Sequence, residues 1–525
     1  MSPPSEAQYP VIKNEPKVHP LIKGSFAFVP SAGMRLAPEV LVLELMREVF
    51  FEQHFGEPKG TQDLDPDKKN EDGSRCCSDR ERAILHALRG RRRKNKNSKS
   101  LSFFAPAYPQ LARLGWLGKS RERVVNNFLL SGPIAQHLWQ RGQGTEDGYN
   151  RQQELVDKIW HALLGTNSCL TQNVNERDIL AATLGPESFD LDIEKIAKQN
   201  LREKTRNGSV MVVNHDELAD RITQDLVAIC DLEANLPRMQ WLQVLMTFLR
   251  FSLPMWLLAQ MQITQLLHKW LVEAVDNGNV IDEDVTLEGL SRRNRELLHP
   301  TLTPTRELFE HTERYMKCRV ELNILLYNLE KVRKEQVNGR ILNLDGGGPR
   351  TMSINELLLI ARDASGDIRG LERFEQVAKD LSVETFLTRE GEMFPAWRNP
   401  RMGGQGKNID EFFRVLYKAE LGDETGGYLL APVGRGPRRG FRVFPGQMLL
   451  KTITYLAAQA KRSNLGRGGG MLVLQDVENH FAQYGIDFST AADARPLLMN
   501  ELRAMGLLTG SPDAGSSVAV RCPYN

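Results

Sequence analysis

Residues 441–525 carry the most regular pattern in the chain, an alternation of short helical and extended segments. Apolar residues recur at helical spacing over residues 446–462, which predicts a first helix. A Gly-rich break follows it, and residues 471–473 are predicted to form a short strand. A second helix comes next, with apolar residues on one side, and Gly485 ends it.

The rest of this segment predicts a third helix and a β-hairpin. The helix covers residues 494–505, with Asp493 as its N-cap, and Gly506 ends it. The hairpin turns at residues 511–515, and apolar residues alternate along the chain that returns from the turn. The segment as a whole therefore predicts three small helices followed by a two-stranded hairpin.

This order of elements resembles the winged helix-turn-helix superfamily over residues 446–521. The residues that carry the resemblance are Leu498, Leu502, Gly506, Leu507, Leu508, Val518 and Val520. In DNA-binding members of that superfamily the third helix enters the major groove and the wing contacts the backbone. The resemblance therefore implies DNA contact by Arg495, Asn500 and Arg503 on the third helix and by Arg521 beside the wing.

The same residues leave a protein-binding role open. The third helix carries Glu501, and the predicted wing tip, residues 511–517, holds Asp513 and no basic residue. Many winged helices bind protein, and in kleisin subunits of chromosome-structuring complexes a C-terminal winged helix docks on an ATPase. The resemblance therefore implies either a DNA-binding or a protein-binding module.

Positive charge is concentrated in two segments that have the composition of loops. The first is residues 89–99, with predicted DNA-binding residues Arg91, Arg92, Arg93, Lys94 and Lys96. The second is a Gly/Arg-rich linker predicted over residues 426–440 and the residues directly after it, with predicted DNA-binding residues Arg435, Arg438, Arg439 and Arg442. Lysine and arginine neutralise phosphates whatever the base sequence. A solvated loop and a solvated hinge explain the same charges, and both interpretations remain open.

A heptad pattern predicts a long helix over residues 303–337, with Thr303 as its N-cap and Pro304 as its first residue. Its apolar residues at seven-residue spacing are Leu308, Tyr315, Leu322 and Leu329. The positions three residues further on are His311, Cys318, Leu325 and Val332. This pattern is typical of a coiled-coil-like helix or a bundle arm, and it offers a seam for a homo-oligomer. His311 and Cys318 are interpreted as packing residues and not as metal ligands.

The chain has 525 residues, which is too long for one ordinary core, and helical periodicity dominates most of it. The predicted fold is mainly α and multi-domain, with helical bundle domains, the heptad-patterned helix and a C-terminal α+β winged helix. The predicted segments are an extended lead-in over 1–32, an N-terminal helical region over 33–145, a central helical domain over 146–300, the long helix and a helical region over 301–425, the linker over 426–440 and the winged helix over 441–525.

No sequence pattern predicts a cofactor, a metal site or a membrane span. The six cysteines form no Cys-x-x-Cys pair, and residues 403–408 contain Gly-Lys without the rest of a phosphate loop. The longest apolar stretch, residues 241–272, contains Arg250 and is predicted to form two core helices hinged near Pro254. Residues 1–20 lack the apolar core of a signal peptide, and the cysteine usage favours a reducing cytoplasm.

The predicted function is that of a non-enzymatic DNA-binding subunit of a multi-protein prokaryotic assembly, in genome defence, a mobile element or chromosome organisation. DNA is expected to be bound with little sequence preference. The first alternative is a kleisin-like scaffold whose winged helix docks a partner ATPase. The second is a nucleic-acid enzyme whose catalytic groups come from distant positions in the chain.

Overall fold

Most of the residues described by the computed structural model are helical, which confirms the mainly α prediction for this part of the chain. The structure describes residues 211–213, 217–277, 297–337, 351–363, 409, 412–418, 426–434, 440–465, 470–489, 491–509 and 518–524, together with scattered residues between 41 and 163. The predicted lead-in over 1–32 and the basic segment over 89–99 lie outside the described residues.

Among the described residues, the regular elements are helices and short strands. The helices are α1 (Glu217–Leu232), α2 (Arg238–Asn277), α3 (Glu307–Val337), α4 (Ile354–Asp363), α5 (Gln447–Leu465), α6 (Leu474–Gln483) and α7 (Arg495–Ala504). The strands are β1 (Met211–Val213), β2 (Thr301–Thr305), β3 (Thr351–Ser353), β4 (Leu430–Val433), β5 (Gly440–Val443), β6 (Leu508–Thr509) and β7 (Ala519–Val520).

Helix α2 is the centre of the fold and runs for 40 residues. The prediction of two helices hinged near Pro254 is wrong, because Pro254 lies inside this one helix. Helices α1, α3, α4 and α5 all pack along α2, and its Phe248, Trp256 and Leu267 side chains are buried. Packing along its length holds the helix together although proline cannot donate a backbone hydrogen bond.

Helix α2 also has the composition of a membrane span. Within its segment Gln240–Val275 the most apolar window of 18 residues has a mean hydropathy of 1.5, but 89% of that window is buried inside the structure. A helix that is apolar on all sides and covered by other helices is typical of a protein core. This burial is consistent with a water-soluble protein.

Helix α3 begins at Glu307 and not at residue 303. The predicted N-cap Thr303 and first residue Pro304 belong instead to strand β2, which pairs antiparallel with β5. The Glu307 backbone nitrogen donates a hydrogen bond to the Thr305 hydroxyl at 3.1 Å, at the start of the helix. Pairing with a strand far along the chain therefore decides where the helix starts.

The first set of positions in the predicted heptad seam of α3 is buried. Its leading positions are all at most 3% exposed: Leu308, Tyr315, Leu322 and Leu329. His311 is buried with them, and α2 packs along α3 within the same chain. The seam therefore contributes to the core of a single chain, and a homo-oligomer through this helix stays a prediction.

A three-stranded antiparallel sheet includes residues 430–433 and Gly440 of the segment that the sequence predicts as a linker. Strand β5 lies in the middle, with β2 on one side and β4 on the other, and Leu430 of β4 is opposite Val443 of β5. Leu430, Phe441 and Val443 are buried. Strand β4 therefore lies inside the predicted linker over 426–440, and the linker as a boundary between domains stays a prediction.

Two glycines of this region allow a close crossing of the chain at the start of α5. A Cβ on Gly446 would lie 2.3 Å from the Gly426 carbonyl oxygen, and one on Gly426 would lie 2.9 Å from the Gln447 nitrogen. Gly426 also has a φ of 67°, which favours glycine. Here the glycines permit backbone contact and do not mark a hinge.

The remaining strands form a small parallel pair, with Met211 of β1 opposite Thr351 of β3. Strand β3 leads directly into α4, and α4 packs on α2. Strands β1 and β3 are therefore far apart in the sequence and pair within the chain.

The C-terminal elements follow the predicted order, with ends that differ from the prediction by a few residues at most. Gly485 and Gly506 stand two residues after the last residues of α6 and α7, with φ of 80° and 69°. Val473 forms a bridge with Ala519 of β7, and β7 pairs antiparallel with β6. Three extended segments therefore lie side by side, with β7 in the middle.

The C-terminal helices share one apolar core with α1 and α2. The centre of the Phe251 ring of α2 lies 4.9 Å from that of Tyr484 and 6.2 Å from that of Phe481. The Tyr455 hydroxyl of α5 donates to the Ala228 carbonyl of α1 at 3.1 Å. Buried apolar side chains continue from the central helices into the C-terminal elements. The predicted domain boundaries stay predictions.

Candidate nucleic-acid interface

Helix α7 buries one face and exposes the other. Leu498 and Leu502 are completely buried, whereas Asn500 and Arg503 are exposed. Residues three apart are neighbours on a helix surface, and Arg503 Nη1 donates a hydrogen bond to Asn500 Oδ1 at 3.1 Å. We call the exposed pair Asn500 and Arg503 the α7 patch. Two of the predicted contact residues are therefore together and face solvent.

Arg495, the third predicted contact on this helix, is engaged within the chain. Its Nε and an Nη atom donate to the two carboxylate oxygens of Glu478 at 2.6 and 3.2 Å. Glu478 is 1% exposed, and the bidentate pair fixes the first turn of α7 to α6. The same hydrogen bond raises the pKa of the Arg495 guanidinium above its usual value. Arg495 therefore positions α7, and its contact with DNA stays a prediction.

The acidic residue of α7 is turned towards α5. Glu501 Oε2 accepts a hydrogen bond from Gln447 Nε2 at 3.3 Å. Consecutive residues of a helix are separated by a rotation of about 100°, so Glu501 is on the flank of the helix, beside the α7 patch and not within it. Gln447, the first residue of α5, holds this carboxylate on that flank.

Two further predicted residues, Arg521 and Arg442, are exposed. Arg521 follows β7, and its backbone nitrogen donates to the Leu507 carbonyl at 2.7 Å, just beyond the end of α7. Arg442 is in β5, opposite Ala431. Its neighbours in the strand are buried, and side chains alternate along a strand, so the Arg442 side chain faces solvent.

The other predicted basic residues and the wing tip lie outside the described residues. They are Arg91, Arg92, Arg93, Lys94 and Lys96 of the first segment, Arg435, Arg438 and Arg439 of the second, and residues 511–517. Their contacts with DNA stay predictions.

A buried polar network holds α6 against α1. Asp225 Oδ2 accepts a hydrogen bond from the Tyr484 hydroxyl at 2.7 Å and lies 2.8 Å from His480 Nε2. All three residues are at most 2% exposed, and the Arg221 guanidinium lies 3.7 Å from the other carboxylate oxygen. Burial raises the pKa of Tyr484 well above its usual value. Sequence reasoning missed this network, because no local pattern links residue 225 to residue 480.

The sequence predicts Asp493 as the N-cap of α7, and this prediction is wrong. The N-cap is Ala494, which makes no side-chain capping bond. Asp493 Oδ2 instead accepts hydrogen bonds from the Leu302 nitrogen at 2.9 Å and the Thr301 hydroxyl at 3.0 Å. The bond from the Leu302 nitrogen lowers the pKa of Asp493. This residue therefore joins the segment before α7 to β2.

Comparisons of this chain with protein-family models, curated proteins and solved structures find no match. Function is therefore inferred from the α7 patch and from the contacts that hold α7 in place.

Proposed function

We propose that this chain is a non-enzymatic DNA-binding subunit of a larger prokaryotic assembly, and that residues 441–525 form a winged-helix module. The element order α5, Val473, α6, α7, β6, β7 supports the module, because a winged helix has a short strand between its first two helices and a hairpin after its third. The pairing of Ala519 with both Val473 and Thr509 supports it further, because it aligns that short strand with the hairpin. Genome defence, a mobile element and chromosome organisation are the settings we propose.

The exposed α7 patch is the observation that carries the DNA-binding proposal. An arginine guanidinium makes charge-assisted hydrogen bonds to phosphate oxygens or to a guanine edge, and an asparagine amide pairs with adenine. Arg521, beside the end of α7, supplies a second exposed cation. A patch with so few base-reading groups favours binding through the backbone, so we propose DNA binding that tolerates many sequences.

Replacing Arg503 with alanine is expected to weaken the binding of random-sequence duplex DNA roughly tenfold. The reason is that a hydrogen bond to a charged group contributes about 1.5 kcal/mol. Fluorescence anisotropy of a labelled duplex with the full chain measures the change. The matched control is Arg362→Ala on α4, because Arg362 pairs with Asp363 at 2.9 Å and lies outside the proposed module.

The control variant is expected to bind like the wild type. A combined replacement of Arg435, Arg438, Arg439 and Arg442 by glutamine tests the second basic segment and is expected to weaken binding further. Equal affinity of the Arg503→Ala variant and the wild type would remove the α7 patch from the interface.

The alternative function is a kleisin-like scaffold whose winged helix docks a partner ATPase. The composition of the exposed side of α7 favours this alternative, because the uncharged residues Pro496 and Ala504 lie there beside the α7 patch. Of the two arginines of α7, Arg495 pairs with Glu478, which leaves Arg503 as the one arginine of this helix that is not paired with a carboxylate. This alternative would be favoured if an ATPase co-purifies with the full chain and the chain has no affinity for DNA. The ATPase would then be lost in an Ala504→Glu variant. Metal-dependent DNA cleavage by the purified chain would favour the nucleic-acid enzyme.

A further inference from the structure

A separate cluster of polar side chains lies between α2 and α3. His268 of α2 and Cys318 and Glu321 of α3 offer three ligand atoms, all within 4.8 Å of one another. His268 Nε2 lies 3.2 Å from Glu321 Oε2, and each of these two side chains is 16% exposed. Cys318 is half-buried and its thiol is not in a disulfide. Three different ligand types therefore meet at one place.

We propose that this cluster binds a zinc ion. Zinc takes imidazole nitrogen, thiolate sulfur and carboxylate oxygen at about 2.0 to 2.3 Å, so two ligands of a tetrahedral ion lie roughly 3.3 to 3.7 Å apart. The His268 and Glu321 atoms already have nearly this separation. The Cys318 sulfur reaches it with a movement of about 1 Å at most, and water takes the fourth position.

The ligand types select the metal. Calcium and magnesium take oxygen ligands, whereas a thiolate together with an imidazole suits zinc and its late first-row neighbours. Cys318 and Glu321 are three residues apart, so they are on adjacent positions of the α3 surface. The neighbouring Leu267 and Leu322 are completely buried. The site therefore lies at the border of the α2–α3 packing, where the ion is partly shielded from water.

Such a site gives the α3 seam a role beyond packing. A zinc ion held by one residue of α2 and two of α3 joins the two longest helices among the described residues. A zinc ion that binds the folded chain and not the unfolded chain stabilises the folded state. The interpretation of Cys318 as a packing residue is then incomplete, because its sulfur is also a ligand. This proposal is independent of DNA binding.

Cobalt titration tests the proposal directly. The full chain is first freed of metal with a chelator and then titrated with Co²⁺. A thiolate-to-cobalt charge-transfer band reports a cobalt–sulfur bond. Zn²⁺ is added afterwards to displace the cobalt. We expect a band that saturates with the metal and is lost in Cys318→Ser. In His268→Gln and Glu321→Gln the affinity is expected to fall more than roughly tenfold, because loss of even an outer-shell partner costs tenfold or more.

Two variants serve as controls. Cys522→Ser removes another half-buried thiol, and His299→Ala breaks a His–Glu pair of 2.6 Å outside the cluster. Both are expected to keep the wild-type band, and the melting temperature of the wild type is expected to rise with Zn²⁺. A wild-type chain without a band, or a Cys318→Ser variant that keeps it, would overturn the proposal and leave His268 and Glu321 as an ion pair. If Cys318→Ser fails to fold, unchanged metal affinity in folded Glu321→Gln would overturn it as well.

Discussion

Replacing Asp225 with alanine is expected to lower the free energy of unfolding by about 3 kcal/mol. Asp225 Oδ2 is the acceptor for the Tyr484 hydroxyl and the close partner of His480 Nε2, and all three groups are buried. Without the carboxylate, two polar groups stay buried with no partner, and each costs about 1 to 3 kcal/mol. Urea denaturation followed by circular dichroism measures the loss.

Two variants separate the network from the general effect of removing a charge. Asp231→Ala on the same helix removes an exposed carboxylate that pairs with Lys158 at 2.8 Å, and it is expected to cost less than about 1 kcal/mol. Tyr484→Phe removes one hydroxyl and keeps the ring, at an expected cost of about 1 kcal/mol. An Asp225→Ala variant as stable as Asp231→Ala would mean that the network does not hold α6 on α1.

Replacing Phe251 with alanine is expected to cost about 4 kcal/mol, because the ring is completely buried and its loss leaves a cavity. The ring lies against Phe481 and Tyr484 of the C-terminal segment, so the cavity opens where α2 meets α6. Hydrogen exchange followed by mass spectrometry measures the effect. Peptides from α2 and α6 are expected to lose protection together.

The matched control for Phe251 is Leu359→Ala on α4. Leu359 is 37% exposed, and its replacement is expected to cost less than about 1 kcal/mol and to leave the protection of α6 unchanged. Loss of protection in α2 alone after Phe251→Ala would contradict a shared core and would favour a C-terminal segment that folds by itself.

Local sequence signals predicted the C-terminal helices well. The apolar spacing that includes Leu449 and Ile453 marks α5, and Gly485 and Gly506 end the next two helices because each adopts a positive φ. The spacing of Leu498 and Leu502 defines the buried side of α7, and Asn500 and Arg503 are on its exposed side. These features depend on residues within one or two helical turns of one another.

Contacts between distant residues account for what the sequence did not predict. Thr303 and Pro304 have the local pattern of a helix start, but pairing with β5 makes them a strand. Asp493 has the local pattern of an N-cap, but its carboxylate accepts hydrogen bonds from Thr301 and Leu302. The same holds for the Asp225 network. Each case depends on a partner more than 100 residues away, which periodicity and capping rules do not reveal.

The salt dependence of DNA binding by the full chain tests the proposed function most directly. Fluorescence anisotropy with a random-sequence duplex is measured over a series of salt concentrations, for the wild type and for Arg503→Ala. If the α7 patch contacts phosphates, the logarithm of the association constant falls linearly with the logarithm of the salt concentration. Arg503→Ala then reduces that slope by about one. Absence of binding at low salt, or the same slope in both proteins, would contradict DNA contact by the α7 patch.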